Sequence, residues 1–205
     1  MIVHDVEQGT DAWLELRAGL PTASMASKMV TGTGKKSTSI TEYAYQLAAE
    51  MYAGKPLDGF DGNGYTDRGK ELEPLARIAY EQHTHVWVEE VGFCTVDDGS
   101  YGCSPDGLVG DDGMVEFKCL IAKNHTKAWM YYDENKSVQP EYVSQPQMQM
   151  LVCERKWCDS VFYHPDLPLL IIRQFPGEEF QKVLAEQLKV CIERRDNALK
   201  VMTSG

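Results

Sequence analysis

The sequence predicts an α/β fold in which helices flank a central mixed β-sheet. Segments with helical hydrophobic periodicity alternate with shorter runs of β-branched and aromatic residues, which is the pattern of this fold class. The length of 205 residues, with 43% hydrophobic and 25% charged residues, is typical of one globular domain. We therefore expect a single domain over residues 1–205.

The helices are predicted from their start and stop signals and their apolar stripes. Ser39-Ile-Thr-Glu42 has the pattern of a capping box and Gly54 supplies a stop, so a helix is expected between them. Another is expected over 71–82, where Pro74 fits only in the first turn because proline lacks an N–H group. The same periodicity predicts helices over 142–153 and 178–202, and turn residues predict a loop rich in Gly and Asp over 54–64.

The strands are predicted where β-branched and aromatic residues lie between turn signals. Two are expected within 86–96, and Gly-Asp-Asp-Gly at 110–113 then turns the chain into a strand over 114–121. After a polar connection and the helix over 142–153, adjacent strands are expected over 161–164 and 169–175. These segments would supply the sheet.

The composition excludes several classes of protein. No run approaches about 18 apolar residues and no basic, apolar leader is present, so we expect no membrane span and a cytoplasmic location. The six cysteines contain no CxxC pair and are expected to be free thiols. With 20 basic and 31 acidic residues, the net charge of −11 excludes a protein that coats nucleic acid through a positive field over its whole surface.

One stretch departs from this acidic balance. Residues 16–41 contain four basic residues and no acidic residue. Arg17 is favoured as an anion ligand because its planar guanidinium can donate two hydrogen bonds to one phosphate. Residues 21–24 are expected to open a short helix, so that the Ser24 hydroxyl could reach the same phosphate.

Two carboxylates and a lysine carry the predicted chemistry. Asp106 follows Ser-Pro in a turn, and the strand over 114–121 places Glu116 and Lys118 on one face, with Val115 and Phe117 on the other. Asp106 and Glu116 can hold one or two Mg²⁺ ions, with the backbone carbonyl of Phe117 as a further ligand. Lys118 can then orient or deprotonate the attacking water. This arrangement is the sequence pattern of the PD-(D/E)XK nucleases, whose fold is restriction-endonuclease-like.

Further motifs extend over most of the chain. They are Gln8-Gly-Thr-Asp-Ala-Trp-Leu-Glu-Leu-Arg17, Thr22-Ala-Ser24, Arg68-Gly-Lys-Glu-Leu-Glu73, Cys103-Ser-Pro-Asp-Gly107, Glu116-Phe-Lys118 and Gln145-Pro-Gln147. In this order, over about residues 5–153, the sequence resembles the phage lambda exonuclease family, also called YqaJ-like viral recombinases. The resemblance implies an enzyme, encoded by a phage or prophage, that digests one strand of linear double-stranded DNA from the 5′ end to leave a 3′ overhang. It also implies a requirement for Mg²⁺, for which Mn²⁺ would substitute, a homotrimeric ring and a phage single-strand annealing protein as partner.

The resemblance also assigns roles to individual residues. Asp106 and Glu116 match metal ligands, Lys118 matches the catalytic lysine, and Glu73 matches an acidic residue that engages the metal-bound water or a second metal. Gln145 or Gln147 matches a glutamine near the active site. The residues expected to hold the 5′-phosphate or contact DNA are Arg17, Thr22, Ser24, Lys35 and Lys36.

Other interpretations of these residues stay open. Glu73 could merely favour the positive end of a helix, and His83 and His85 are expected to be surface residues because no third metal ligand lies nearby in sequence. The same catalytic core could serve a site-specific or structure-specific endonuclease. A non-catalytic DNA-end binding protein is disfavoured because Asp106, Glu116 and Lys118 are all intact.

Overall fold

The computed structural model describes residues 1–57 and 64–204, which form two β-sheets with helices packed around them. Residues 58–63 of the predicted Gly- and Asp-rich loop lie outside the described residues. The strands are β1 (Ile2–His4), β2 (Phe93–Thr95), β3 (Gly102–Cys103), β4 (Gly107–Val109), β5 (Gly113–Cys119), β6 (Trp157–Tyr163) and β7 (Leu170–Gln174).

The predicted fold class is confirmed, but the strands divide between two sheets. An antiparallel sheet has the order β1-β2-β3, and a mixed sheet has the order β4-β5-β6-β7. Only β5 and β6 are parallel among these pairs, with Glu116 opposite Ser160. Within 86–96 only β2 forms a strand, and Glu89 contributes one isolated bridge to Leu108.

Six α-helices surround the described strands. Two short 3₁₀ turns, Ala23–Lys28 and Pro140–Tyr142, precede α2 and α5. Helix α4 occupies the stretch that sequence patterns predict to be only a polar connection between β5 and α5. The helices are α1 (Asp11–Arg17), α2 (Ile40–Ala53), α3 (Gly64–Thr84), α4 (Ala122–Asn135), α5 (Ser144–Cys153) and α6 (Glu178–Thr203).

Helix α3 begins seven residues before its predicted start, so Pro74 lies in its interior rather than in its first turn. A proline there removes one backbone hydrogen bond and disfavours helical geometry at the preceding residue. Packing outweighs this cost, because Ala76 and Tyr80 are fully buried against Val115 and Phe117 of β5. Helix α3 is thereby fixed beside the strand that carries the predicted catalytic residues.

The largest apolar core lies where α2, α5 and α6 pack against one another and against the sheets. Leu47, Met148 and Leu188, one from each of these helices, are at most 2% exposed. The parallel pairing of β5 with β6 requires a crossover, and α4 and α5 provide it. The crossover places α5 against the face of β5. The six cysteines are free, as predicted, and no helix among residues 1–57 and 64–204 is long and apolar enough to span a bilayer.

Candidate active site

Asp106, Glu116 and Lys118 meet beside β5. Asp106 lies just before β4, and its Oδ2 accepts a 2.6 Å hydrogen bond from the backbone N–H of Phe117. Lys118 donates to Glu116 Oε1 at 2.7 Å, so both side chains occupy one face of the strand, as alternation predicts. Phe117 packs with Val115 on the opposite, apolar face. Asp106, Glu116 and Lys118 are called the carboxylate cluster below.

Helix α5 covers this cluster with two glutamines. Gln145 Nε2 donates to Glu116 Oε1 at 2.6 Å, and Gln145 Oε1 accepts from Lys118 at 3.1 Å. Gln149 is fully buried and donates to Glu116 Oε2 at 2.6 Å. Residues four apart share one face of a helix, which is why both glutamines reach the same carboxylate.

Gln147 lies outside the carboxylate cluster, so of the two predicted alternatives the structure places Gln145 at the site. Gln147 Nε2 donates to Phe175 O at 2.8 Å, and its Oε1 accepts from the N–H of Gly177 at 3.0 Å and from Gln181 at 3.0 Å. Two residues along a helix are rotated by about 200°, so Gln145 and Gln147 cannot face the same group. Gln147 instead anchors the segment that leads into α6.

The electrostatics of the cluster follow from its two carboxylates and from Glu73 nearby. Burial, and next the carboxylates of Glu116 and Glu73, raise the pKa of Asp106 well above its ordinary value. Burial lowers the pKa of Lys118, but Glu116 and Asp106 more than offset it, so the pKa is raised overall. Lys118 therefore stays a cation and balances only part of the acidic charge.

Glu73 approaches the cluster from α3 and lines the same cleft as Asp106. Its side chain is 36% exposed and lies 3.6 Å from Arg77, which also pairs with Glu90. Burial raises the pKa of Glu73, Arg77 opposes this shift, and Glu116 adds to it. The structure therefore brings Glu73 within electrostatic reach of the cluster, at the more open side of the cleft.

The donors of the cluster fit a hard divalent cation that keeps part of its water shell. Among the described residues, no three His, Cys, Asp or Glu side chains are close enough to enclose an ion alone, and His83 and His85 are exposed, as predicted. Mg²⁺ needs no such cage, because it commonly binds one or two carboxylates and retains several waters. Asp106 and Glu116 are two such carboxylates. The Phe117 carbonyl faces the same strand edge as the Phe117 N–H that contacts Asp106, because both groups of a strand residue point to one side.

A second polar group surrounds Arg17 at the end of α1. Arg17 donates to Ser104 Oγ at 3.4 Å and to Ser24 Oγ at 3.2 Å, and its guanidinium lies 4.1 Å from the Trp13 ring centroid. Trp13 also donates its indole N–H to Ser104 Oγ at 2.8 Å. Burial lowers the pKa of Arg17 to about 10, which leaves it a cation at neutral pH. This Arg17 pocket, formed by Arg17, Ser24 and Ser104, adjoins the cluster, since Ser104 lies two residues before Asp106.

The other predicted DNA contacts lie at different distances from the Arg17 pocket. Thr22 Oγ1 is 3.3 Å from Ser24 Oγ, so Thr22 borders the pocket. Lys35 and Lys36 are exposed in a tight turn over 31–36, and Lys36 lies 3.7 Å from Glu186 of α6. No contact among the described residues joins either lysine to the pocket.

Ser104 and Gln149 belong to the site but do not stand out in the sequence. The partners of Ser104 are Arg17, 87 residues away, and Trp13, 91 residues away, and no sequence spacing links such distant positions. Gln149 does carry a signal, because it lies one helical turn after Gln145. That signal identifies a shared helix face but does not reveal which group the face contacts.

Comparison with known proteins identifies the family and the fold. Residues 12–156 match the family described as the YqaJ-like viral recombinase domain. The alkaline exonuclease LHK-Exo from Laribacter hongkongensis is 28% identical, with a TM-score of 0.82 over 95% of this chain and 97% of that chain. A second structure of that enzyme, in complex with dAMP, matches equally well. A phage related exonuclease from Haemophilus somnus 129PT shares the fold at 15% identity, with a TM-score of 0.69 over 89% of this chain and 96% of that chain. No curated protein sequence matches the chain.

The mixed sheet with Asp106, Glu116 and Lys118 beside β5 defines the class of the PD-(D/E)XK nucleases. Within that class, the match over 12–156 is specific to one family. The chain belongs to the YqaJ-like viral recombinase family and is a phage-type exonuclease. The resemblance found in the sequence motifs is thereby confirmed.

Proposed function

We propose that this protein is a Mg²⁺-dependent exonuclease that digests one strand of linear double-stranded DNA from its 5′ end and leaves a 3′ single-stranded overhang. The observation that carries the proposal is the adjacency of the carboxylate cluster and the Arg17 pocket, joined by Ser104-Pro-Asp106. The cluster can support phosphodiester hydrolysis, and the pocket can hold the end of the strand being cut. The complex of LHK-Exo with dAMP is consistent with a nucleotide-binding site of this kind.

Asp106 and Glu116, with the Phe117 carbonyl, would hold one or two Mg²⁺ ions, and Mn²⁺ would substitute. The metal, when bound, would stabilise charge on the phosphate and activate water. Lys118, held as an ammonium, would orient the attacking water, and Gln145 fixes that ammonium through its Oε1. Glu73 would engage water at the open side of the cleft.

The Arg17 pocket would hold the 5′-terminal phosphate. Ser104 and Ser24 each accept a hydrogen bond from one terminal nitrogen of the guanidinium, which fixes the plane that would bind a bidentate anion. The ring of Trp13 beneath the guanidinium further limits its motion. Each cut would then be made at a fixed position relative to the end of the strand.

The direct test uses linear duplexes labelled at either the 5′ or the 3′ end. With Mg²⁺, release of the 5′ label is expected first. Asp106→Asn, Glu116→Gln and Lys118→Ala should each stop release. The two carboxylate variants should keep the fold, because each removes one negative charge from a site where acidic side chains already repel one another. Asp111→Asn, in the exposed turn before β5, is the matched control and should retain full activity. Normal turnover by either carboxylate variant would contradict the assignment.

Closed circular duplex separates the alternatives on the same catalytic core. An exonuclease leaves circles intact, whereas a site-specific or structure-specific endonuclease cuts them. A DNA-end binding protein without catalysis would shift linear duplex on a gel but release no label from it.

We further propose a homotrimeric ring that surrounds DNA in the cytoplasm of a bacterial host, beside a phage single-strand annealing protein. A chain with net charge −11 can enclose DNA only if its basic residues gather on an inner surface, and a ring provides such a surface. Light scattering should give the mass of three chains. A monomer that still digests DNA processively would refute the ring as the cause of processivity.

A further inference from the structure

Glu116 accepts hydrogen bonds on both carboxylate oxygens, but the two oxygens are not equivalent. Oε1 accepts from Lys118 at 2.7 Å and from Gln145 at 2.6 Å, whereas Oε2 accepts only from Gln149 among the described residues. Each carboxylate oxygen has about two acceptor positions. Oε1 is therefore saturated, and Oε2 keeps one position for a further ligand.

Gln149 is the group that fixes Oε2. Its side chain is fully buried on α5, and its amide must present Nε2 to Glu116 because an ionised carboxylate only accepts hydrogen bonds. With Gln145 on one oxygen and Gln149 on the other, the Glu116 carboxylate cannot rotate about its long axis without breaking a bond of 2.6 Å.

The oxygen of the Gln149 amide also lacks a partner that a bound ion could supply. Gln149 Oε1 is buried and has no hydrogen-bond partner among the described residues. A buried acceptor without a donor is costly, and native proteins almost always supply one from protein or ordered water. Water carried by a cation at Glu116 Oε2 is a donor of the required kind.

We propose that Gln149 is a positioning residue for the metal: it orients Glu116 so that Oε2 faces the ion, and its free Oε1 accepts a hydrogen bond from water of the ion's hydration shell. This inference rests on the proposed metal-dependent function and extends it to a residue outside the Asp106, Glu116 and Lys118 motif. Residues that orient a metal ligand in this way typically contribute 10- to 100-fold in metal affinity.

The test is calorimetric titration of the full chain with Ca²⁺, without DNA, so that binding is measured independently of catalysis. Gln149→Met keeps the length of the side chain but removes the amide. Gln147→Met, on the same helix and also buried, is the matched control, because it removes hydrogen bonds to the α6 segment but none to Glu116. Gln149→Met should weaken Ca²⁺ binding by about 10- to 100-fold, while the affinity of Gln147→Met should equal that of wild type.

A second readout separates metal positioning from a general structural role. Activity of Gln149→Met should be low at limiting Mg²⁺ and recover as Mg²⁺ is raised, since the defect is in metal affinity. If Gln149→Met does not fold, Gln149→Asn serves instead, because it keeps the amide but is one methylene too short to reach Glu116.

The possible failures are distinguishable. A folded Gln149 variant that binds Ca²⁺ as tightly as wild type would overturn the role of Gln149. Wild-type protein that binds no Ca²⁺, or binds it no more tightly than Glu116→Gln, would overturn the metal-dependent function on which the inference rests.

Discussion

Arg17→Ala tests whether the Arg17 pocket recognises a terminal phosphate. In the structure two nitrogens of the guanidinium are held 3.4 Å from Ser104 Oγ and 3.2 Å from Ser24 Oγ, so the orientation of the guanidinium is fixed. A hydrogen bond to a charged group contributes about 1.5 to 3 kcal/mol. At 1.4 kcal/mol for each factor of ten, loss of one such bond in the rate-limiting complex slows digestion by roughly one to two orders of magnitude.

The assay compares single-turnover digestion of linear duplexes that carry a 5′-phosphate or a 5′-hydroxyl. The quantity of interest is the ratio of the two rates, because the mutation also removes the contact with Trp13 and any resulting loss of stability affects both substrates equally. In Arg17→Ala, the ratio of the 5′-phosphate rate to the 5′-hydroxyl rate should fall by roughly one to two orders of magnitude. It should fall less in Arg17→Lys, which keeps the charge but lacks the paired N–H groups.

Lys28→Ala is the control for simple charge removal, since Lys28 is exposed in the same acid-free stretch. Its ratio should remain that of wild type. If Arg17→Ala slows both substrates by the same factor, Arg17 is only structural and the phosphate is bound elsewhere.

Three further outcomes are expected. A chelator should stop digestion, and Mg²⁺ or Mn²⁺ should restore it. Ca²⁺ should allow DNA binding without efficient cutting, because Ca²⁺ accepts looser coordination geometry. Digestion that persists in the presence of chelator would exclude metal dependence. Tyr80→Phe should lower the free energy of unfolding by about 1 to 2 kcal/mol, because the buried carboxylate of Asp159 loses a 2.7 Å hydrogen bond. An unchanged midpoint of urea unfolding would show that this bond does not stabilise the fold. Gly113→Ala should lower the melting temperature, because the added Cβ atom would lie 2.0 Å from the Trp157 ring. Overpacking of this kind costs about 1 to 3 kcal/mol. An unchanged melting temperature would mean that the ring shifts freely.

Local sequence patterns are enough to predict those helices and strands whose structure is determined by the periodicity of their side chains. Strict alternation over β5 places Glu116 and Lys118 together, because a strand has only two faces. Strands β3 and β4, of two and three residues, are too short for any period to show. Helix α4 is mostly polar on its exposed side, although Met130 is exposed there. Its buried residues are His125 and Ala128, a pair that a sequence pattern does not distinguish from residues of a loop.

The site was only partly predictable for a related reason. The motif residues come from one turn and one strand, so their proximity follows from local geometry. Ser104 and Gln149 act through contacts across 87 and 33 residues of sequence, and such contacts depend on how the two sheets and α5 pack. Pro74 shows the converse, since tertiary packing of α3 overrides a local signal that predicts a helix start.

Ser104 and Asp106 are separated by one proline within a single stretch of backbone. Two residues of chain span at most about 7 Å, whatever the rest of the molecule does. In the proposed function, this segment limits the distance between the Arg17 pocket, which would hold the strand end, and the carboxylate cluster, which would cut the strand. Exchange of surface loops elsewhere would leave that distance unchanged.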